Sequence, residues 1–566
     1  MIPIPKPGKK PEDSKSYRPI SLLCPASKIL ERLVLPFLAI LPNNTSQHGF
    51  KSMHSTTSAL LPLTTSIAQG FNQEKPPSRT AAVAIDFSKA FDSIHHPTLL
   101  NKICSSHLHP NIIRWLTCYL RGRTAACRYL SALSKRRIIR SGVPQGAVLS
   151  PTLYNFFTVD CPSSARITTA YADDLTVAEC FPDKTLDASH LSAHLNDSLG
   201  PITDWARENH LKIAPSKSSV TLFTPWTKQF NAHPQITTNN SVLPLEKNPK
   251  ILGVTFDPQF TFTTHCKNIA TKCSSRLNIL KALAGTTWGH QKETLLTTYK
   301  ALIKPVITYA APIWYPPTCK TNVDSLQVIQ NKALRVISGC HTMSPVPHLH
   351  AETKVLPIGT HLDMLCKQHL ISSLRPTHPS RHYVRQPSGP RAGIRIPTLQ
   401  SRFLPSISHL LSDDMAPIDD HEDLMREIHT SAVSSYLTAA DENELLNSAP
   451  PEISMTENSL PRHHRATLSQ LRSGYCSRLQ DYRLRVGLST TDTCPECGLA
   501  PHTVKHLFEC AAHQTTFTPR DLWDRPVEVA AFLSRMTAFS ELPPLEPPVP
   551  LPPPEPPPPD DGPDAV

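Results

Sequence analysis

The apolar positions of this chain recur with two periods, and the change from one to the other divides it. Early on the pattern is that of strands. Ala81, Ala82, Val83, Ala84 and Ile85 form a short continuous apolar run ending on a carboxylate, Asp86, as expected for a buried strand. Ile167–Tyr171 and 175–177 flank Ala172, Asp173 and Asp174, which reads as strand, tight turn, strand with the acids at the turn. Helices are expected over 93–104 and again where Leu149, Leu153 and Phe156 share a face with Asn155 alongside. From 264 to 340 the helical period takes over, with Ile269, Cys273, Leu277 and Leu280 on one stripe and Leu295, Tyr299, Leu302, Ile303 and Val306 on another. A third helix is expected over 323–338, with Lys332 and Arg335 off its apolar face. Residues 345–460 are rich in Pro, His and Ser and predict only isolated helices, such as 420–437 and 439–446. Order returns at 464–482, where Leu468, Leu471 and Tyr475 share a face near Arg465, Arg472 and Arg478. The end, 543–559, is nearly continuous proline and predicts an extended, solvated tail, for which no specific role is the first reading and binding of a proline-recognising module the second.

Two places in this pattern carry chemistry. A carboxylate at the end of a buried strand is costly unless it is paired or holds a metal, and Asp86 stands in that position. Asp173 and Asp174 add two more; the competing reading of that pair is a solvated turn. Together the three would make a cage for two divalent ions of the kind that places a nucleophilic and a leaving oxygen around phosphorus. The segment 141–151 has two glycines and a proline, so its backbone can approach a flat ligand closely, and Gln145 offers an amide that both donates and accepts. Phe91 sits where the chain turns back over the strand end, either under an incoming sugar or in the core. Asp92 is expected to cap the helix over 93–104.

These segments resemble a known family. Ala84 to Asp92, Ser141 to Pro151, and Tyr171-Ala172-Asp173-Asp174 resemble the A, B and C motifs of reverse transcriptases, in the right order and at compatible spacing. The nearest subgroup is the non-LTR (LINE-type, jockey-like) retrotransposon polymerases. Ile4 to Leu22 resembles the family's fingers segment, Trp205 to Lys217 its D motif, and Ile251 to Phe256 its E motif. The resemblance covers about 1–345 closely and the cysteine-rich tail region more weakly. It implies an α+β right-hand polymerase, with fingers, an antiparallel palm sheet, a helical thumb and a small carboxy-terminal zinc module. The implied segments are partial fingers 1–80, palm 81–256, thumb 257–345, connector 346–460, basic helix and CCHC module 461–515, and disordered tail 541–566.

The implied activity is RNA-directed DNA synthesis: extension of a DNA 3′-hydroxyl on an RNA template, with dNTPs as substrates. Asp86 and Asp173 would hold two Mg²⁺ ions (Mn²⁺ as an alternative), with Asp174 a weaker ligand. Arg18, with Lys6, Lys9 and Lys10, would grip phosphates, and Arg18 is the better bidentate clamp. Phe91 would exclude a 2′-hydroxyl. Gln145, Gly146 and Tyr171 would line the substrate site. Lys217 is either a general acid for the leaving pyrophosphate or a surface lysine at a turn. The resemblance also implies an amino-terminal truncation, because related elements carry an endonuclease ahead of the polymerase. No spaced acidic set suggests an RNase H site. An inactive fragment that only binds RNA or DNA is the alternative.

Composition agrees with a polyanionic partner. The net charge is +11, and Arg121, Arg123, Lys135, Arg136, Arg137 and Arg140 flank the 141–151 loop, where template phosphates would pass. Fifteen cysteines without a secretory signal predict reduced thiols in the cytoplasm and nucleus, and no stretch is apolar enough to span a bilayer. Cys494, Cys497, His506 and Cys510 have the spacing of a closed tetrahedral Zn²⁺ site. The family's last gap is usually one residue longer, which leaves His502 and His513 as substitute ligands. Arginines just upstream point to RNA or DNA contact, and a purely structural zinc staple is the other reading.

Overall fold

A computed structural model describes residues 1–542 except 7, 9, 75, 182–187, 230–231, 233, 239–240, 286–288, 386–394, 413 and 439–441. The proline-rich tail lies outside the described residues. Among the described residues two compact units emerge, one from 1–271, 307–326 and 358–434, the other from 272–306, 327–357 and 435 onward. The cut falls inside the helices Thr263–Ala282 and Lys320–Ser338, so the expected 257–345 segment is shared between both units.

The first unit is built on a four-stranded antiparallel sheet. Its strand order is Ser219–Phe223, Arg79–Asp86, Asp174–Phe181, Ile167–Tyr171. Arg79–Asp86 is central and is buried along most of its length, which explains its unbroken apolar run: both faces are covered. The helix Thr56–Asn72 packs on this sheet, opened by a reciprocal Ser55–Ser58 capping box. Val83, Ile85, Leu175, Val177, Leu153, Phe157, Leu195 and Ile202 share one continuous core. Register sets the functional edge. Asp86 lies directly opposite Asp174, and Tyr171 pairs with Asp174 across a two-residue turn.

The second unit packs around Leu468, Leu471, Leu507, Trp523, Val529, Leu533 and Phe539. Its organising element is the helix Arg462–Arg472, every residue of which is buried. Three cations and three carboxylates meet there. Arg472 donates to Glu352 (3.1 Å) and to Glu457, Arg465 donates to Glu293 (2.8 Å), and Lys292 reaches Glu352 (2.8 Å). Arg462 donates to the carbonyls of Val336 (2.7 Å) and Ile337, satisfying the end of the helix Lys320–Ser338.

Three expectations change. The helix expected over 93–104 begins at His96, so Asp92 does not cap it; it lies in the short helix Ala90–Ser93. The helix expected over 439–446 does not form where it is described, since 444–447 are turn between the bridged Asn443 and Ser448. Arg465 and Arg472, expected near nucleic acid, have side chains only 4% and 0% exposed and are consumed by ion pairs. A guanidinium on an apolar helix face is drawn inward when carboxylates from distant segments neutralise it there.

Candidate active site

Asp86 ends its strand with its backbone held on both sides. Its N–H donates to the Ser218 hydroxyl (3.1 Å) and its carbonyl accepts from the Ala214 N–H (2.8 Å). Its carboxylate meets Lys217, whose Nζ lies 3.0 and 3.3 Å from the two oxygens. Asp173 and Asp174 sit at the neighbouring hairpin, whose turn residue Ala172 adopts φ +56°. Burial pushes the Asp173 carboxyl up, and the Asp86 charge adds to that, while Lys217 and Arg18 pull it back. Partial desolvation and the charges of Asp173 and Asp86 push Asp174 up to about 6. Asp174 is exposed on its own strand, so water tempers both effects. Three carboxylates are therefore crowded beyond what the nearby lysine compensates, which is the electrostatic signature of a cation site.

A cavity of about 1070 Å³ opens over these acids, lined by Arg18, Asp86, Phe91, Asp92, Gln145, Gly146, Asp173 and Lys217 among others. It brings together most of the residues expected from sequence. Lys6 lines it too; Lys9 lies outside the described residues, and Lys10, Asp174 and Tyr171 are not in its wall. Phe91 stacks on buried Tyr154 (centroids 4.6 Å, 15° between planes) while keeping an edge on the cavity, so it is at once core and wall. Gln145 donates from Nε2 to the Asp92 carboxylate (3.0 Å). Desolvation raises the Asp92 pKa and this hydrogen bond opposes it; the work of Asp92 is to orient the amide.

The loop is glycine-dependent. Gly146 has φ +112°, and a Cβ there would lie 2.9 Å from the Ser21 carbonyl. Gly142 has φ +84°, with its Cβ position 2.7 Å from the Asp92 backbone. Sequence reasoning missed Glu31, which is 1% exposed on the helix Pro25–Val34. Its carboxylate accepts from the N–H groups of Val148 (2.7 Å) and Leu149 (3.1 Å), capping the helix Ser150–Phe157 from another element. An acid in an otherwise amphipathic helix carries no local signal of that role.

In the second unit, Cys494, Cys497, His506 and Cys510 bring their ligand atoms within 4.8 Å of one another. The two pairs inside the set are Cys494 Sγ to Cys510 Sγ at 4.0 Å and Cys497 Sγ to His506 Nε2 at 3.3 Å. A hydrogen bond from the Leu499 backbone, with help from His506, holds the Cys497 thiol down at about 6. The suggested substitutes are occupied elsewhere: His502 Nδ1 lies 3.3 Å from the Gln480 N–H, and His513 pairs with Glu496 at 3.0 Å.

Crowded acids at a sheet end, a glycine loop and a basic wall thus meet over one large cavity. Residues 4–256 match the family described as reverse transcriptase (RNA-dependent DNA polymerase). The chain is 30% identical over 415 residues to the probable RNA-directed DNA polymerase from transposon BS of Drosophila melanogaster, covering 68% of this chain and 44% of that protein. It is 29% identical over 386 residues to the RNA-directed DNA polymerase from mobile element jockey of Drosophila funebris, covering 65% and 40%. The chain thus spans less than half the length of these relatives. Among solved structures, a telomerase from Candida tropicalis in complex with a fragment of telomeric RNA aligns at 10% identity and a TM-score of 0.33, covering 72% of this chain and 57% of that one; a likeness that distant carries no argument. The chain carries a reverse transcriptase domain of the non-LTR retrotransposon kind.

Proposed function

We propose that this chain is an RNA-directed DNA polymerase that extends a DNA 3′-hydroxyl on an RNA template, using the four-stranded sheet as a polymerase palm. The observation that carries this reading is the register that sets Asp86 opposite Asp174, with Asp173 in the wall of the same cavity as Arg18 and Gln145. Reverse transcriptases use divalent metal ions, generally Mg²⁺. Oxygen donors only, crowded and undercompensated, fit that ion, and Asp86, Asp173 and Asp174 would hold it. When bound, it lowers the pKa of the primer hydroxyl and neutralises phosphate charge.

In the reaction the primer 3′-hydroxyl gives up its proton to water and its oxygen bonds to the α-phosphorus of a dNTP, while the bond from that phosphorus to the α–β bridging oxygen breaks and pyrophosphate leaves. Arg18 presents its guanidinium to the triphosphate. Phe91, fixed by its stack on Tyr154, presses beneath the sugar and disfavours a 2′-hydroxyl. Gln145, oriented by Asp92, faces the nascent pair. Lys217 anchors Asp86 and, in this reading, donates the proton that the departing pyrophosphate takes up. The basic stretch Arg121 to Arg140, exposed at most of its cations, binds template phosphates. The helices after the sheet act as a thumb on the product duplex. Cys494, Cys497, His506 and Cys510 hold a structural Zn²⁺, a set of three sulfurs and one nitrogen suited to a closed tetrahedron. Burial of Arg465 and Arg472 favours the staple over a nucleic-acid contact for this module. The chain acts in the cytoplasm and nucleus.

Primer extension on an RNA template with Mg²⁺ tests the reading. Wild-type chain extends, and Asp173→Asn abolishes extension while RNA binding persists. Extension that survives Asp173→Asn removes the carboxylate assignment. Binding without extension by the wild-type chain leaves a nucleic-acid-binding protein.

A further inference from the structure

The hairpin that carries Asp173 has one difficult residue. Ala172 is held at φ +56°, a left-handed conformation that a non-glycine residue adopts only when its surroundings impose it. The sequence around it supplies no glycine or asparagine to ease the turn. The constraint comes from 125 residues away. Gln47, 2% exposed, accepts at Oε1 from the Ala172 N–H (2.9 Å) and donates from Nε2 to the Ala172 carbonyl (3.0 Å). One amide thus holds both backbone groups of that residue.

Gln47 is itself fixed. Its Oε1 also accepts from the Gly49 N–H (2.8 Å), and its segment runs beside the hairpin strand through Ala170 N–H to Ser46 (2.8 Å) and His48 N–H to Ala170 (2.7 Å). Gly49 presses so close that a Cβ there would lie 2.4 Å from the Ala172 nitrogen. Its carbonyl accepts from Asn155 Nδ2 (2.9 Å) on the helix Ser150–Phe157, whose start Glu31 caps just after the Gln145–Gly146 loop. A chain of named hydrogen bonds therefore runs from the glycine loop to the acidic turn.

We propose that Gln47 is the positioning residue of the acidic turn: it holds Ala172 left-handed and so sets where the Asp173 carboxylate stands relative to Asp86. It touches neither substrate nor cation. A purely space-filling glutamine would be replaceable by a side chain of equal length, whereas a positioning glutamine needs its amide. The proposal rests on the polymerase reading above, and its test separates the two.

The test is Gln47→Met in the full chain, read in three ways. In primer extension kcat falls about 100-fold, the scale of a small misplacement at a reacting centre, while KM for dNTP stays within about threefold. In a Mn²⁺ titration followed by electron paramagnetic resonance, with Asp173→Asn as background, half-saturation rises about tenfold, the scale for losing a residue that orients a ligand. The thermal transition remains cooperative. Gly49→Ala, which keeps the glutamine but puts a methyl against both the Ala172 nitrogen (2.4 Å) and Gln47 Oε1 (3.0 Å), gives the same pattern and serves if Gln47→Met does not fold. Folded Gln47→Met or Gly49→Ala with wild-type kcat and Mn²⁺ titration overturns the proposal. If the wild-type chain extends no primer, the polymerase reading fails, and the Mn²⁺ titration alone decides on Gln47: an unchanged curve overturns its role.

Discussion

Two regions of this protein bring carboxylates out of water, and they do so to opposite ends. At the sheet edge Asp86, Asp173 and Asp174 crowd one another, and the pKa values of the last two rise. In the second unit buried Glu352 and Glu457, joined by the exposed Glu293, meet Lys292, Arg465 and Arg472, three charges against three. Desolvation there pushes Glu352 up, but Lys292, Arg472 and His348 outweigh it and hold the carboxyl at about 2. A compensated cluster is structure. An undercompensated one stores repulsion that a bound cation can relieve, and that difference is what separates a site from a staple.

The comparison makes predictions that differ in sign. The largest concerns activity: Asp173→Asn abolishes extension, yet in chelator it raises the melting temperature, because it removes one of three repelling charges. A lower melting temperature in chelator would show that the acids are already compensated. Next, Arg472→Met in the buried cluster costs about 3–5 kcal/mol, the usual loss when one partner of a buried pair is removed, measured by denaturant unfolding of the full chain. A loss near zero would place Glu352 and Glu457 in water.

Acid separates the regions further. Glu352 has a folded pKa below its unfolded value, so its contribution is present above the unfolded value near 4.5 and is lost as pH falls toward about 2. Unfolding monitored by Trp523 fluorescence should therefore become easier through that window, and Glu352→Gln should flatten the dependence. Zinc comes next: metal analysis gives one Zn²⁺ per chain, and chelation loosens 494–510 without altering Mg²⁺-dependent extension on short templates. The smallest effect is at Phe91. Phe91→Val raises ribonucleotide incorporation relative to deoxyribonucleotide while leaving Tyr154 buried; unchanged discrimination would return Phe91 to packing alone.

The legible part of the site was the part written in contiguous motifs. Asp86 announced itself as an acid ending an apolar run, Asp173 and Asp174 as a pair between strand halves, Gln145 and Gly146 as a loop with its own glycines. The candidate metal-binding set Cys494, Cys497, His506 and Cys510 was legible by spacing, and the structure brings its ligand atoms together. Asp92 was misread because a helix start one turn too early made it look like a cap, when its partner is Gln145, 53 residues on. Arg465 and Arg472 were misread because a row of arginines beside a cysteine module looks basic until the acids that neutralise it arrive from 293, 352 and 457.

What the sequence alone determined is the set of candidate groups: which carboxylates, which loop, which thiols, and in what order. Local periodicity and motif spacing suffice for that, because a strand end and a tight turn are specified by neighbours within a few residues. Only the tertiary structure decided which charges are free to work. Gln47 grips Ala172 across 125 residues, Glu31 caps a helix 117 residues away, and Glu352 cancels Arg472 across 120. Compensation is a property of three-dimensional neighbours, and a carboxylate or a guanidinium has no local sequence mark that tells whether its partner will come.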